Sequence, residues 1–204
     1  DTGADQALQV FVGNTRPLLT PIPLKPAAAP YLLQLDSPET GMGYEVVGTV
    51  GPGAVLGSVL VEFHPHFTVV NHTGHAFELV TARTSQQSHH LTVAPGCREE
   101  LQWPRGNAPK YMMFSHPGLG KSPTIPLGFL SSEPQLLPLY GAGGAGQSSL
   151  FEVSLGNPQP GCEDVVLHRI VPALEESAVR VVNLAGGRLD VRQLSSKGQP
   201  GRWT

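Results

Sequence analysis

The stretch HFTVVNHTGHAFELV, residues 66–80, decides the fold class of this 204-residue chain. Apolar and polar residues alternate in Phe-Thr-Val and again in Phe-Glu-Leu, on either side of a polar segment that begins at Asn71. A period of two predicts β-strands, because successive side chains of a strand point to opposite faces of its sheet. Asn tolerates a left-handed backbone and Gly74 favours a turn. The stretch therefore predicts a strand, a tight turn and a second strand.

The rest of the sequence predicts an all-β, antiparallel protein. Its 24 glycines and 20 prolines suit many short strands joined by turns, and no window of 11 or more residues keeps a helical period. Residues 117–148, rich in Pro, Gly and Ser, are predicted to form a long irregular loop. Strands are predicted at 7–13, 31–35, 44–50, 55–63, 67–71, 76–82, 90–95, 100–103 and 110–115, and within 150–171.

Charge and hydropathy argue against nucleic-acid binding and against a membrane-spanning segment. The net charge is −3 and no basic stripe is present, so the electrostatic contribution that nucleic-acid binding needs has no source. No apolar run approaches the roughly 18 residues of a membrane span. The chain has two cysteines, Cys97 and Cys162, which allow one disulfide. Two free thiols in a cytosolic protein are the favoured interpretation.

The opening stretch recurs later in the chain. Val69-Val70-Asn71 matches Val181-Val182-Asn183, and three residues after each Asn comes a Gly. An apolar-acidic-apolar triplet then follows in both copies, as Phe77-Glu78-Leu79 and Leu189-Asp190-Val191. Repetition in the same order predicts a repeat architecture, in which neighbouring units cover one another's apolar faces.

A second pair of similar segments extends the repeat. Tyr31, Leu33, Pro38 and Gly41 recur as Phe151, Val153, Pro158 and Gly161. The sequence thus predicts tandem β-sandwich-like repeats in four segments. These are an extended proline-containing segment at 1–30, the end of a preceding repeat at 31–62, a central repeat at 63–175 and the start of a following repeat at 176–204.

Each repeated Asn has a structural and a functional interpretation. An Asn at a strand end can donate and accept at once, and can tie its own turn to a neighbouring strand. Alternatively, its side chain holds a sheet edge open for a visiting strand. Asn71 would shape the edge of the central unit, and Asn183 that of the following one.

A family resemblance favours the second interpretation. The pattern of a strand, Val-Val-Asn-x-Thr-Gly and a strand, followed by LTVAPG at 91–96 and by Trp103, resembles the adaptor-binding repeats of the vacuolar-protein-sorting-thirteen family. These large bridge-like lipid-transfer proteins act at membrane contact sites. The resemblance covers mainly residues 63–104 and 176–192.

The resemblance implies a non-enzymatic module without a cofactor. Such a module docks short Pro-x-Pro segments of adaptor proteins by strand addition and so targets a lipid-transfer protein to organelle membranes. The chain would be cytoplasmic and peripheral at these membranes, reaching them only through adaptors. The implied peptide-binding residues are Asn71, Val69, Val70, Phe77, Leu79 and Asn183.

The chain contains a segment of the same kind itself. Thr20 is followed by Pro21, Ile22, Pro23, Leu24, Lys25 and Pro26. We hypothesise that this segment occupies a strand edge of the repeat, in cis or in trans. The alternative is a plain proline-rich linker.

A metal-dependent enzyme is the alternative function. His64 and His66 lie on one face of an extended strand after Gly57, which faintly resembles the first motif of cupin β-barrels, with His72 and His75 near in sequence. The acidic partner of that motif is missing, however, and its second motif is absent. The run GAGGAG at 141–146 matches a dinucleotide fingerprint, but the following residues alternate like a strand and provide no helix N-terminus.

Overall fold

The computed structural model describes residues 7–10, 22–25, 29–84, 87–141 and 149–172. This part of the chain is all-β, as predicted, with one short 3-10 helix. Its strands are β1 (Ala7–Leu8), β2 (Ile22–Pro23), β3 (Tyr31–Asp36), β4 (Met42–Pro52), β5 (Val59–Pro65), β6 (Phe67–Asn71), β7 (Phe77–Thr84), β8 (Gln87–Val93), β9 (Arg98–Glu100), β10 (Trp103–Pro104), β11 (Tyr111–His116), β12 (Gly120–Lys121), β13 (Ile125–Pro126), β14 (Gln135–Leu139), β15 (Ser149–Gly156) and β16 (Glu163–Pro172). The 3-10 helix is Leu127–Phe129.

Two sheets pack face to face as a sandwich. One has the strand order β14-β15-β16-β6-β9, and the other has the order β12-β11-β7-β8 with β13 beside β11. Their inward side chains form one large apolar core, which contains Phe77, Phe114 and Phe151 with no exposed surface. The aromatic rings of Phe114 and Phe151 meet edge to face at 5.1 Å between centroids.

The opening stretch connects these two sheets rather than forming a hairpin. Both of its strands are present, with β6 ending at Asn71 as predicted. However, β6 pairs with β16 and β9, whereas β7 pairs with β11 and β8. The pairing of β6 with β16 is parallel, while all other pairings among the described strands are antiparallel.

A third sheet stands beside the sandwich and has the order β10-β4-β3, with β5 also on β4. Its own apolar cluster contains Leu33, Leu35, Val46 and Val50. We call this group the first-hairpin face. The predicted unit boundaries themselves stay predictions, and residues 176–204 lie outside the described part.

The recurring segments form equivalent hairpins. β3 and β4 are antiparallel neighbours joined by a turn that ends at Gly41, and β15 and β16 are joined by a turn that ends at Gly161. Both glycines have positive φ, +68° and +81°, a conformation that glycine adopts without strain. The recurrence of Pro and Gly therefore marks a hairpin turn in both places, although Gly41 N donates to Ser37 O in the first turn and Cys162 N donates to Gln159 O in the second.

A buried carboxylate joins the third sheet to the sandwich. Glu45 of β4 lies 2.5 Å from Lys110 Nζ, 3.0 Å from His66 Nδ1 and 3.4 Å from Arg83 Nη2. Burial alone raises the pKa of Glu45, but the hydrogen bonds to His66 and Lys110 outweigh burial and lower it to about 2. Lys110 Nζ also lies 4.2 Å from the centre of the Phe67 ring.

The prediction of a long irregular loop over 117–148 is wrong for much of the described part of it. Residues 117–141 contain β12, β13, the 3-10 helix and β14. Leu137 and Leu139 of β14 point into the core and are 5% and 0% exposed. Pro138 obscures this alternation in the sequence, yet an edge strand tolerates proline because the missing N–H can face away from the sheet.

Two further element boundaries differ from prediction. β5 begins at Val59 rather than at 55, because Gly53 N donates to Ser58 O at 2.9 Å and closes a turn there. The predicted strand at 100–103 is divided into β9 and β10, which pair with different sheets. Cys97 and Cys162 are free, as favoured.

Candidate functional site

Asn71 uses its whole side-chain amide inside the protein. It is the last residue of β6 and has no exposed surface. Its Nδ2 donates to His75 O at 2.8 Å and to Val93 O at 3.0 Å. Its Oδ1 accepts from Thr73 N at 3.0 Å and from Thr73 Oγ1 at 2.7 Å. These four bonds use both donors and both acceptor positions of the amide.

The backbone of Asn71 fixes a second loop. Its N–H donates to Cys97 O at 3.0 Å, and its carbonyl accepts from Gly96 N at 2.7 Å. The next residue, His72, donates its N–H to Leu167 O at 2.8 Å. Asn71 thus holds three segments together: the turn that follows β6, the end of β8, and residues 94–97. We call this arrangement the Asn71 clamp.

The Asn71 clamp lies at an open side of the sandwich. Residues 94–97 connect β8 to β9, and these two strands are the adjacent edges of the two facing sheets. In the described part of the chain, β8 pairs only with β7, and β9 only with β6. A strand edge without a neighbour presents backbone N–H and C=O groups that another chain can pair with.

The opposite side of the sandwich is closed. There Lys121, in β12, and Tyr140, next to β14, exchange two backbone hydrogen bonds of 3.0 and 2.8 Å. Among the described residues, the two sheets are therefore joined by strand pairing along one side, whereas the Asn71 clamp joins them along the other without strand pairing. This asymmetry identifies the β8 edge as the longer available edge of the sandwich, with seven residues against three in β9.

The side chains around the β8 edge carry little charge. Burial and the neighbouring His90 lower the pKa of His89, so His89 is predominantly neutral at pH 7. Its Nδ1 is buried and has no hydrogen-bond partner among the described residues. His90 Nδ1 lies 3.8 Å from Glu78 Oε1, and both side chains are more than half exposed. Such an edge suits pairing through the backbone rather than through ion pairs.

A polar network that sequence reasoning missed fixes the second edge strand. Arg98 of β9 donates from Nη2 to Asp164 Oδ1 at 2.7 Å and from Nε to Thr68 Oγ1 at 3.1 Å. Thr68 Oγ1 donates to the same Asp164 oxygen. These residues adjoin a shallow depression that is also lined by His64 and Pro158. Because 66 residues separate Arg98 from Asp164, no local pattern could have signalled their contact.

The residues predicted to bind peptide lie mostly beneath the surface. Val69, Phe77 and Leu79 have no exposed surface and belong to the sandwich core, while Val70 is half-buried on the other face of β6. Their side chains support the edge from below and do not line it. Asn183 lies outside the described residues.

In the described part of the proline-containing segment, residues 22–25, Ile22 covers a sheet face. Ile22 is only 3% exposed and packs against the first-hairpin face. Ile22 and Pro23 pair with Leu8 and Ala7 as a separate two-stranded ribbon. Pro23 is exposed and Leu24 half-buried, while Pro21 and Pro26 lie outside the described residues. Burial of Ile22 argues against a plain linker.

The histidines of the alternative function do not assemble a metal site. His66 is engaged with Glu45, and His64 lies at the end of β5. Within the described ranges, no group of three or more His, Cys, Asp or Glu side chains is placed to hold a metal ion. His75 and His116 stack edge to face with ring centres 5.1 Å apart, and burial and His75 lower the pKa of His116.

Comparison with known protein families and with curated proteins gives no match for this chain. No helix in the part of the chain that the structure describes has the length and apolarity needed to cross a membrane.

Proposed function

We propose that this chain is a non-enzymatic adaptor-binding module that docks short Pro-x-Pro peptides by strand addition. Its task would be to place a lipid-transfer protein at organelle membranes. The Asn71 clamp is the observation that supports the proposal best. A fully buried amide holds together the loops beside β8, which pairs only with β7 among the described strands.

The β8 edge offers the backbone groups that strand addition requires. An added peptide strand would extend the sheet β12-β11-β7-β8 by one strand next to Gln87–Val93. The half-buried Leu91 and the exposed His90 and Thr92 alternate along it and would contact peptide side chains on the two faces.

Proline at alternate positions suits such an added strand. The N–H and C=O groups of one residue point to the same side of a strand, and the side alternates from residue to residue. In a Pro-x-Pro segment the central residue can pair with β8, while both prolines direct their missing donors away from it. Proline also restricts the free peptide to extended conformations, which reduces the entropy lost on binding.

The parts of this proposal that concern adaptors, lipid transfer and organelle membranes rest on the resemblance of residues 63–104 to adaptor-binding repeats. The Asn71 clamp adds a physical role for the residue that marks each repeat. Asn71 positions the edge through the loops and through Val93 O, and makes no contact with the peptide itself.

Titration of a labelled peptide tests the proposal. The heptapeptide TPIPLKP is added to the full chain, with TAIALKA as the proline-free control, and hydrogen exchange of 87–93 is followed. We expect saturable binding of the first peptide, protection of β8, and weaker binding of the control. Asn71→Ala should weaken binding by about 1–3 kcal/mol, or about 5- to 150-fold.

Asn157→Ala is the matched control, because Asn157 is an exposed turn residue between β15 and β16. It should leave the affinity unchanged. No binding of either peptide by the folded protein would refute the proposed function.

A further inference from the structure

The first-hairpin face is an apolar surface with a small cover among the residues that the structure describes. Leu33, Leu35, Val46 and Val50 lie on one side of the β3–β4 hairpin and are 1–9% exposed. The other side of the same hairpin carries Glu45, which is bonded to the sandwich. Burial on the first side involves Ile22 and, at the margin, half-buried side chains such as Val10 and Val61.

The ribbon that supplies Ile22 has little stability of its own. β1 and β2 are two residues each and share only two residue pairs. Isolated two-stranded ribbons are at best marginally stable in water. Among the described residues, Ile22 and the half-buried Val10 hold this segment against the hairpin, and a segment held by few side chains opens locally far more easily than a core strand.

The sequence around Ile22 matches the ligand class of the proposed function. Ile22 stands between Pro21 and Pro23, and Pro23 is exposed while Ile22 is buried. The contact thus uses the aliphatic residue, and Pro23, which follows it, favours an extended backbone at Ile22.

We propose that the first-hairpin face is a second docking surface, specific for an extended peptide with an aliphatic residue between two prolines. The chain's own Ile22 occupies this surface in cis, and an equivalent peptide on a partner displaces it. The proposal rests on the proposed function for the class of ligand, but it concerns a different surface and adds an internal competitor.

Because Ile22 occupies the first-hairpin face in cis, we expect it to compete with an added free peptide. A tethered segment acts at an effective concentration in the millimolar range, so a free peptide binds this face only weakly while Ile22 is in place. Removing Ile22 from the face should raise the affinity for the free peptide without any change in the face itself.

Hydrogen exchange of the full chain with the peptide TPIPLKP tests the proposal. Ile22→Asp should remove protection from 31–36 and 42–50, and the peptide should restore it, with an affinity for this face about tenfold or more above that of the native chain. The peptide TPDPLKP should not restore it. Leu56→Asp is the matched control, since Leu56 is fully exposed on the β4–β5 turn, and it should behave like the native chain.

The outcomes separate this proposal from the proposed function. Protection by TPIPLKP at 87–93 alone, in both the native chain and Ile22→Asp, overturns the second surface and leaves strand addition at β8 intact. Protection at 31–36 alone supports the second surface and refutes docking at β8. Protection at neither place overturns both.

Loss of hydrogen-exchange protection in 149–172 would show that Ile22→Asp unfolds the whole protein. In that case a milder substitution, Ile22→Ala, is used. Ile22→Ala shortens the side chain without adding charge. It should weaken protection of 31–36 while leaving 149–172 protected, and unchanged protection of 31–36 would overturn the proposal.

Discussion

The hairpins β3–β4 and β15–β16 each have a turn that ends at a glycine with positive φ, but they differ in what covers them. Phe151 and Val153 of the second hairpin have no exposed surface, because a whole sheet packs on their face. At the matching positions of the first hairpin, Tyr31 is half-buried and Leu33 is covered in part by Ile22. The same local sequence pattern therefore builds a deep core in one place and a thinly covered surface in the other.

The difference separates the sandwich, which provides most of the stability, from the first-hairpin face, which is proposed to bind a peptide. Burial of large apolar side chains stabilises the sandwich. A face covered by a short ribbon contributes less and can exchange its cover, which is a property that a docking surface needs. The four predictions that follow test this contrast, from the largest expected effect to the smallest.

Truncation of the matched aromatic residues should give the largest difference. Phe151→Ala leaves a cavity between Phe77 and Phe114 and should lower the free energy of unfolding by about 3–5 kcal/mol. Tyr31→Ala, at the half-buried equivalent position, should cost less than about 2 kcal/mol. Chemical denaturation of both variants measures the values, and equal losses would contradict the contrast between the hairpins.

Removal of the Asn71 amide should destabilise the sandwich next most strongly. Asn71→Ala leaves Val93 O, His75 O and Thr73 N without their buried partner, at a cost of about 1–3 kcal/mol in the free energy of unfolding. Urea denaturation, compared with the exposed control Asn157→Ala, measures the loss. If Asn71→Ala changed neither stability nor peptide affinity, both interpretations of the residue would fail.

Acid should weaken the junction between the first hairpin and the sandwich. The pKa of Glu45 is lowered in the folded protein, from 4.5 to about 2. Its stabilising effect is therefore complete above pH 4.5 and is lost as the pH falls from there towards 2. The full shift corresponds to about 3 kcal/mol, and solvent screening at this partly buried site reduces the expected loss to the order of 1–2 kcal/mol.

Denaturation of the native chain and of Glu45→Gln between pH 6 and pH 2 isolates this effect. The difference in stability between the two proteins should shrink as the pH falls through this window. Glu62→Gln, on an exposed strand position of β5, is the control. A difference that stays constant with pH would show that the Glu45 carboxylate does not stabilise the junction.

Ile22→Ala should have the smallest global effect. Because Ile22 covers a local face, we expect a change below about 0.5 kcal/mol in global unfolding but about 1–2 kcal/mol in local opening of the first hairpin. Native-state hydrogen exchange of 31–36 against 149–172 measures the two separately. Equal changes in both segments would mean that the two hairpins open together.

Much of the fold was predictable from local sequence pattern. Alternation and turn residues identified β6, β7 and β11 with nearly correct ends, since these strands have one buried and one outer face. The pattern failed for β14, where Pro138 interrupts an apolar stretch that nonetheless lies on an edge. It also failed for β9 and β10, because only the partners of these strands decide that the chain changes sheets at Leu101.

The candidate site was predictable only in part. Asn71 stands out in the sequence because it recurs with its Val-Val and Gly neighbours. Its bond to Val93 joins residues 22 positions apart, so the sequence could not show which edge the amide holds. Likewise, the burial of Val69, Phe77 and Leu79 could be anticipated, but not that this burial removes them from contact with a peptide.

The sequence by itself determined the strand class, the repeated Pro–Gly turn, and the position of Asn71 at a strand end, because these depend on backbone preferences and on side-chain period within a few residues. Only the tertiary structure decided that β6 and β7 belong to different sheets, that β8 pairs with β7 alone among the described strands, and that Ile22 covers the first-hairpin face. These features depend on which apolar surfaces from distant parts of the sequence are buried against each other, and the packing of the whole chain determines this.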